Sequence, residues 1–166
     1  MYQRVLTTLD GSSLARAALP HVAHVAHPAT DVYLLTVIPD RETLRRDLAG
    51  SAYEFLTSGQ SLDDLVEATY ATAHAEAVAR LADGSRYLAE LGVREVEQVI
   101  AEGLPGNEIL NALEQLRCDA VVMGTRGHGG LGREVLGSVA EFVLRHAGDT
   151  AVVLVGPRAI QRRQPS

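Results

Sequence analysis

The 166-residue chain contains no lysine; all fifteen of its basic residues are arginine. Without lysine there is no Walker A loop, whose GxxxxGK[ST] sets an ammonium against the β- and γ-phosphates. Pyridoxal Schiff bases and lysine nucleophiles are excluded with it. A phosphoacceptor receiver domain, which has this size and relies on a lysine, is disfavoured. Cysteine is nearly absent too. The single Cys118 rules out an intramolecular disulfide and a Cys-rich zinc site, and it fits a reducing compartment. No apolar run approaches the roughly 18 residues of a membrane span, so no membrane partner is expected. The apolar run in the opening MYQRVLTTLDG is too short for the core of a signal peptide, and a cytoplasmic location is expected. Tryptophan is missing beside five Tyr and two Phe, which leaves no base-stacking platform.

What remains is ordinary globular composition, 46% hydrophobic and 22% charged, at a length that predicts one domain. A chain of this size buries roughly 70% of its unfolded surface and needs no staples. The formal net charge of −6 argues against nucleic acid as a partner. That charge is uneven: the stretch from Val122 onward carries about +3 and the preceding 121 residues about −9. A basic stretch in an acidic protein points to a small anionic ligand.

Strand-like and helix-like segments alternate along the chain. Arg4–Leu9 reads as a short strand ending at Asp10-Gly11, and Ser12 or Ser13 caps a helix over Leu14–Ala26. Asp31–Ile38 reads as a buried strand, followed by a charged, irregular stretch over Pro39–Gln60 that reads as a loop or a partly ordered excursion. A long helix starts after Ser61, where Asp64 completes a capping pattern, and runs towards Leu91 with a bend expected at Gly84. Arg94–Ala101 alternates as a half-buried strand, Asn107–Leu116 is an amphipathic helix and Asp119–Met123 an apolar strand. A glycine-rich loop, a helix over Ser138–Arg145 and a last strand Thr150–Val155 complete the order. Such alternation predicts an α/β fold, a single five-stranded parallel sheet of order 3-2-1-4-5 with helices on both faces. Its ligand belongs beyond the carboxyl ends of the strands, where the winding reverses between the first and fourth. Residues 1–157 are expected to form the domain and 158–166 a basic tail.

The chemistry-bearing stretch is Gly124-Thr125-Arg126-Gly127-His128-Gly129-Gly130-Leu131-Gly132-Arg133-Glu134-Val135-Leu136-Gly137-Ser138. Glycines let backbone amides approach an anion, and the helix that follows adds free N–H groups and a favourable dipole. Ser138 either donates to a phosphate or caps its own helix, and Arg126 and Arg133 supply charge. A literal GxGxxG lies here, from Gly127 to Gly132. It follows the fourth strand, whereas a dinucleotide fingerprint belongs after the first strand of a βαβ unit, so dinucleotide binding is not expected.

The spacing Gly124-x2-Gly127-x9-Gly137-Ser138 resembles the G-x2-G-x9-G-[S/T] signature of ATP-binding universal stress proteins. The resemblance extends over essentially the whole chain, through VLTTLDGS, VYLLTVIP, GNEILNALEQLRCDAVVMGTRGHGG and the closing AVVLV. It implies the adenine-nucleotide α-hydrolase-like sheet, ATP as ligand with Mg²⁺ or Mn²⁺ as its companion ion, and a nucleotide-dependent role in stress response. By position it implies that Asp10 faces the ribose or a phosphate-bound metal and that Val37 meets adenine through its backbone. Gly124 would lie against the ribose, while Gly127, Gly137 and Ser138 hold phosphates. Thr8 stands where some members carry proline, a departure that bears on the shape of the pocket.

Other candidates are weaker. His21, His24 and His27 spread over about 120° of a helix with no carboxylate between them and read as solvent-facing. His128 in the loop is as readily exposed as phosphate-binding, and Cys118 reads as a small inert residue before a buried strand. Neither GxSxG nor HExxH occurs, and Asp10 acting through a metal is the one evident means of activating water, so efficient ATP turnover is not predicted. Two alternatives stand beside ATP-dependent regulation: a slow nucleotide hydrolase, and a stress-protein dimer that does not use nucleotide. The last strand, with neither proline nor charge, should form an unprotected sheet edge and pair with a second copy, as the resemblance also implies.

Overall fold

A computed structural model describes residues 1–50, 61–125 and 136–157. Its elements are β1 (Arg4–Thr8), α1 (Ser13–Val25), β2 (Asp31–Ile38), α2 (Arg41–Ala49), α3 (Leu62–Glu90), β3 (Val96–Glu102), α4 (Pro105–Gln115), β4 (Ala120–Gly124), α5 (Ser138–His146) and β5 (Ala151–Val155). The strands form one sheet in the order β3-β2-β1-β4-β5, with every neighbouring pair parallel. This is the predicted order. The three central strands are apolar on both faces because helices cover both. On one face Leu19 and Val22 of α1 and Leu81 and Leu88 of α3 pack on Val5, Leu34 and Val122. On the other, Ile109 and Leu113 of α4 and Val143 of α5 pack on Leu6, Leu35, Val121 and Met123.

Local chemistry sets the helix starts. Ser12, not Ser13, caps α1 by accepting the amide of Ala15. Ser61 and Asp64 form a reciprocal capping box at α3. The Asp64 carboxyl is held below the usual carboxylate range by the Ser61 hydroxyl and amide. Helix α3 continues through Gly84 without interruption. The glycine serves close packing there: a Cβ would stand 2.5 Å from Leu9 Cδ1 and 2.8 Å from Leu34 Cδ2. At the far end of α4, Arg117 adopts a left-handed backbone (φ 52°). Its amide bonds Glu114 O, and the amide of Cys118 bonds Leu113 O at 2.9 Å, the two bonds of a Schellman motif.

The expected loop over Pro39–Gln60 is corrected in its first half, which contains α2. The helix was hidden because it is polar nearly all round, burying Leu44 alone. It holds together through charge. Asp40 caps it by accepting the Thr43 amide at 2.7 Å, and that bond lowers the Asp40 carboxyl pKa. Arg41 grips Glu67 of α3 with two bonds, of 2.7 and 3.2 Å. Its guanidinium also lies 3.6 Å from the Tyr70 ring centroid. The second half of the predicted loop, 51–60, and the basic tail from 158 lie outside the described residues. Boundaries shift modestly elsewhere. Helix α4 begins two residues before the predicted Asn107, with Pro105 in its first turn, where a missing amide costs nothing. The edge strand β3 starts at Val96 instead of Arg94.

Candidate functional site

The sheet opens at its carboxyl edge between β1 and β4. These two strands pair from Val5↔Ala120 to Thr7↔Val122 and then part, whereas β4 stays with β5 as far as Gly124↔Val155. The winding reverses at this point, and crevices of this kind receive ligands in doubly wound sheets. The sequence candidates fall around it.

Asp10 follows β1, ahead of Gly11 in a left-handed conformation (φ 85°). Its Oδ1 accepts the Ser12 amide at 2.9 Å, so the aspartate shapes the turn into α1. The residue is exposed, and its other carboxylate oxygen has no bond among the described residues.

Val37 lies one strand over. The carbonyl of Leu35 takes the Leu9 amide and that of Ile38 takes the Gly103 amide, so successive peptides of β2 face β1 and β3 in turn. By that alternation the N–H and C=O of Val37 turn towards β1, past its last ladder residue Thr8.

Gly124 ends β4. A Cβ there would stand 3.1 Å from both the carbonyl carbon and the Cβ of Leu14, and 3.2 Å from the Ala15 amide. The missing side chain lets the first turn of α1 rest directly on β4. The rest of the loop is tied at both ends. Thr125 donates its amide to Val155 O at 2.9 Å, and its carbonyl accepts the Gly137 amide at 2.8 Å. Sequence reasoning gave Thr125 no role; its place directly after a buried strand was the available signal.

Helix α5 starts beside that clamp. Gly137 is its N-cap, and no side chain caps it. Ser138 is its first residue, so its hydroxyl is not the cap that the sequence allowed. Among the described residues no side chain caps the first amides of α5, and the acidic residue of its first turn, Glu141, pairs with Arg145; a helix start of this kind attracts an anion. Arg126, Gly127, His128 and Arg133 lie outside the described residues.

Away from this edge the remaining candidates are quiet. His21, His24 and His27 are exposed, and among the described residues no three His, Cys, Asp or Glu side chains gather as a metal site. Cys118 is buried, and burial followed by the nearby Asp119 carboxylate pushes its thiol up to about 11. Among the described residues, no helix is long and apolar enough to cross a membrane.

The architecture is thus that of a doubly wound parallel α/β sheet, with Gly124 and Gly137 at its switch point. The family model described as the universal stress protein family matches residues 1–155, and the chain belongs to that family. Universal stress protein MJ0577 of Methanocaldococcus jannaschii is 29% identical over 155 residues, spanning 93% of this chain and 95% of that protein. The solved structure of MJ0577 superposes with a TM-score of 0.74 at 26% identity, covering 100% of this chain and 99% of the other. A universal stress protein from Archaeoglobus fulgidus, solved in complex with dAMP, superposes with a TM-score of 0.59 at 18% identity, covering 93% and 98%.

Proposed function

We propose that this universal stress protein binds ATP in the crevice between β1 and β4 and acts as a nucleotide-dependent regulator of the stress response. The observation that carries this reading is the start of α5, an uncapped helix N-terminus held against the end of β4 by the Gly137–Thr125 bond. With no lysine in the chain, phosphate must be held by backbone amides, hydroxyls and arginine. In this reading Gly127, Gly137 and Ser138 hold the phosphates, with Arg126 adding charge. Gly124 lies under the ribose, and the peptide edge of Val37 meets the adenine. Asp10 faces the ribose or a Mg²⁺ or Mn²⁺ ion carried in on the phosphates. The dAMP complex of the Archaeoglobus fulgidus relative supports an adenine nucleotide as the ligand class. A cytoplasmic location accords with a free, buried Cys118.

The test is nucleotide retained through purification and identified by mass spectrometry, followed by calorimetry on variants. Gly127→Leu and Ser138→Ala should each weaken ATP binding while circular dichroism stays unchanged. Wild-type affinity in both variants would remove the assigned site.

The same reading includes a homodimer formed through β5, the edge strand next to β4. Val153 and Val155 turn their peptides to β4, as the Thr125–Val155 bond shows for the second of them. Val152 and Leu154 therefore present theirs outward. Val152→Pro removes one outward donor and leaves the β4 ladder in place. Sedimentation should show a wild-type dimer at micromolar concentration and a folded Val152→Pro monomer. A wild-type monomer would end the proposal.

A further inference from the structure

Helix α3 is too long for the sheet it covers. Its 29 residues span about 43 Å, whereas the eight of β2 span about 26 Å. Tyr70 donates its hydroxyl to Glu102, the last residue of β3, at 2.6 Å. That bond marks where α3 passes the carboxyl ends of the strands, so the two turns ahead of Tyr70 project beyond them. Helix α2 leans on this projecting part. Arg41 reaches Glu67 and the Tyr70 ring, and Arg45 reaches Asp63 at 2.5 Å.

The joint has little apolar content. Leu44 is the one fully buried residue of α2, and Val66, 1% exposed, is the one buried residue in the first four turns of α3. Neither belongs to the two clusters that cover the sheet. The charge across the joint is one-sided, since Asp63, Asp64 and Glu67 are the charged residues in the first two turns of α3. Both ion pairs are open to water: the side chains are 47% and 59% exposed in Arg41–Glu67, and 48% and 70% in Arg45–Asp63. Salt screens such pairs, because the Debye length falls from about 10 Å at 0.1 M to about 3 Å at 1 M. The apolar core beneath the sheet keeps its hold in the same salt.

The chain also changes partners abruptly here. Ile38 is fixed to the sheet through the Gly103 amide at 2.9 Å. Asp40 belongs to α2, which it caps through Thr43. The one residue between them, Pro39, is exposed.

We propose that α2 is a flap that responds to ionic strength. It is latched to α3 by Arg41 and Arg45 in dilute salt, and released in concentrated salt to uncover Leu44 and Val66. The latch depends on the α2–α3 contacts alone and holds or fails independently of nucleotide.

Trypsin reads the flap directly, because a chain without lysine is cut only after arginine and α2 carries Arg41, Arg45 and Arg46. Cleavage of the folded full chain after Arg45 and Arg46, followed by mass spectrometry, tracks the open population. Arg80 and Arg86, beside the core residues Leu81 and Leu88 of α3, give the internal reference. From about 20 to about 500 mM NaCl the ratio of α2 to α3 cleavage should rise about tenfold, the scale of two exposed ion pairs and a cation–π contact. Arg41→Gln combined with Asp63→Asn removes both pairs. That variant should be cut in dilute salt as fast as wild type in concentrated salt, and no faster as salt rises. Arg41→Gln alone should fall between the two. A wild-type ratio that stays flat overturns the latch without any variant. So does a double variant that keeps the wild-type salt dependence. Cleavage after Arg80 and Arg86 that rises in step with that of α2 overturns it as well, because the whole chain would then be opening.

Discussion

Gly124 offers a sharp perturbation because its two readings, against a ribose and against a helix, predict different things. In Gly124→Ala the new Cβ meets Leu14 and Ala15 backbone atoms at 3.1 and 3.2 Å. These atoms belong to the first turn of α1, which cannot rotate away as the end of a side chain can. The helix start must shift by a few tenths of an ångström. Overpacking of this kind costs about 1–3 kcal/mol. Alanine recovers about 0.5–1 kcal/mol of that, because glycine loses more backbone freedom on folding. A net loss of up to about 2.5 kcal/mol remains, about 1 kcal/mol at the middle of the range, and for a domain of this length each kcal/mol lowers the melting temperature by roughly 2–4 °C. The shift also moves Asp10, whose carboxylate is fastened to the same turn through Ser12. Urea unfolding followed by circular dichroism, without nucleotide, measures the packing cost alone. A midpoint equal to or above that of wild type would refute the close approach of α1 to β4 and leave a ligand role as the reason for glycine here.

Two other substitutions test separate parts of the molecule. Arg117→Gly relieves a left-handed residue in the Schellman motif, and should stabilise by about 0.5–1 kcal/mol, left-handed strain less the entropy of glycine; an unchanged or lower melting temperature would contradict the strain. Asp119 accepts the amides of Gln3 at 2.8 Å and Arg4 at 3.0 Å. Burial alone would raise its carboxyl, but those amides outweigh it and hold the pKa below the ordinary range. Because the folded pKa is depressed, the carboxylate stabilises at neutral pH, and this is lost as the pH falls below about 4 and through the folded value. Asp119→Asn should therefore lower the urea midpoint at pH 7, and the gap from wild type should close as the pH falls below about 4. A gap that widens on acidification would reverse the sign.

The sheet order was readable because parallel strands covered on both faces leave continuous apolar runs, as in DVYLLTVI and DAVVM. The helices that pack on them carry apolar stripes, and their starts carry Ser12 and Ser61. Helix α2 was not readable from periodicity, since Leu44 is its one fully buried residue and Leu48, a turn later, is half-buried. Its signals were local: Asp40 as cap, Glu42 in the first turn, and Glu42–Arg46 at helical spacing. At the site, the glycine spacing marked the loop and the helix after it. Two features were beyond reach. The contact of Gly124 with Leu14 depends on the packing of α1 against β4, and the clamp through Thr125 depends on β5 lying alongside, 30 residues later in the chain.

The place of β1 at the centre of the sheet has a consequence for how the protein is made. Its neighbours are β2, which begins at Asp31, and β4, which begins at Ala120. The first strand leaves the ribosome early and gains its second neighbour only after β4 has followed. At about 5–20 residues per second, the stretch from Ile38 to Ala120 takes roughly 4–16 s to synthesise. For that interval one edge of β1 is bare, and one wall of the crevice does not exist. The crevice between β1 and β4 is therefore a late product of translation, and a nascent chain halted before β4 presents half of it.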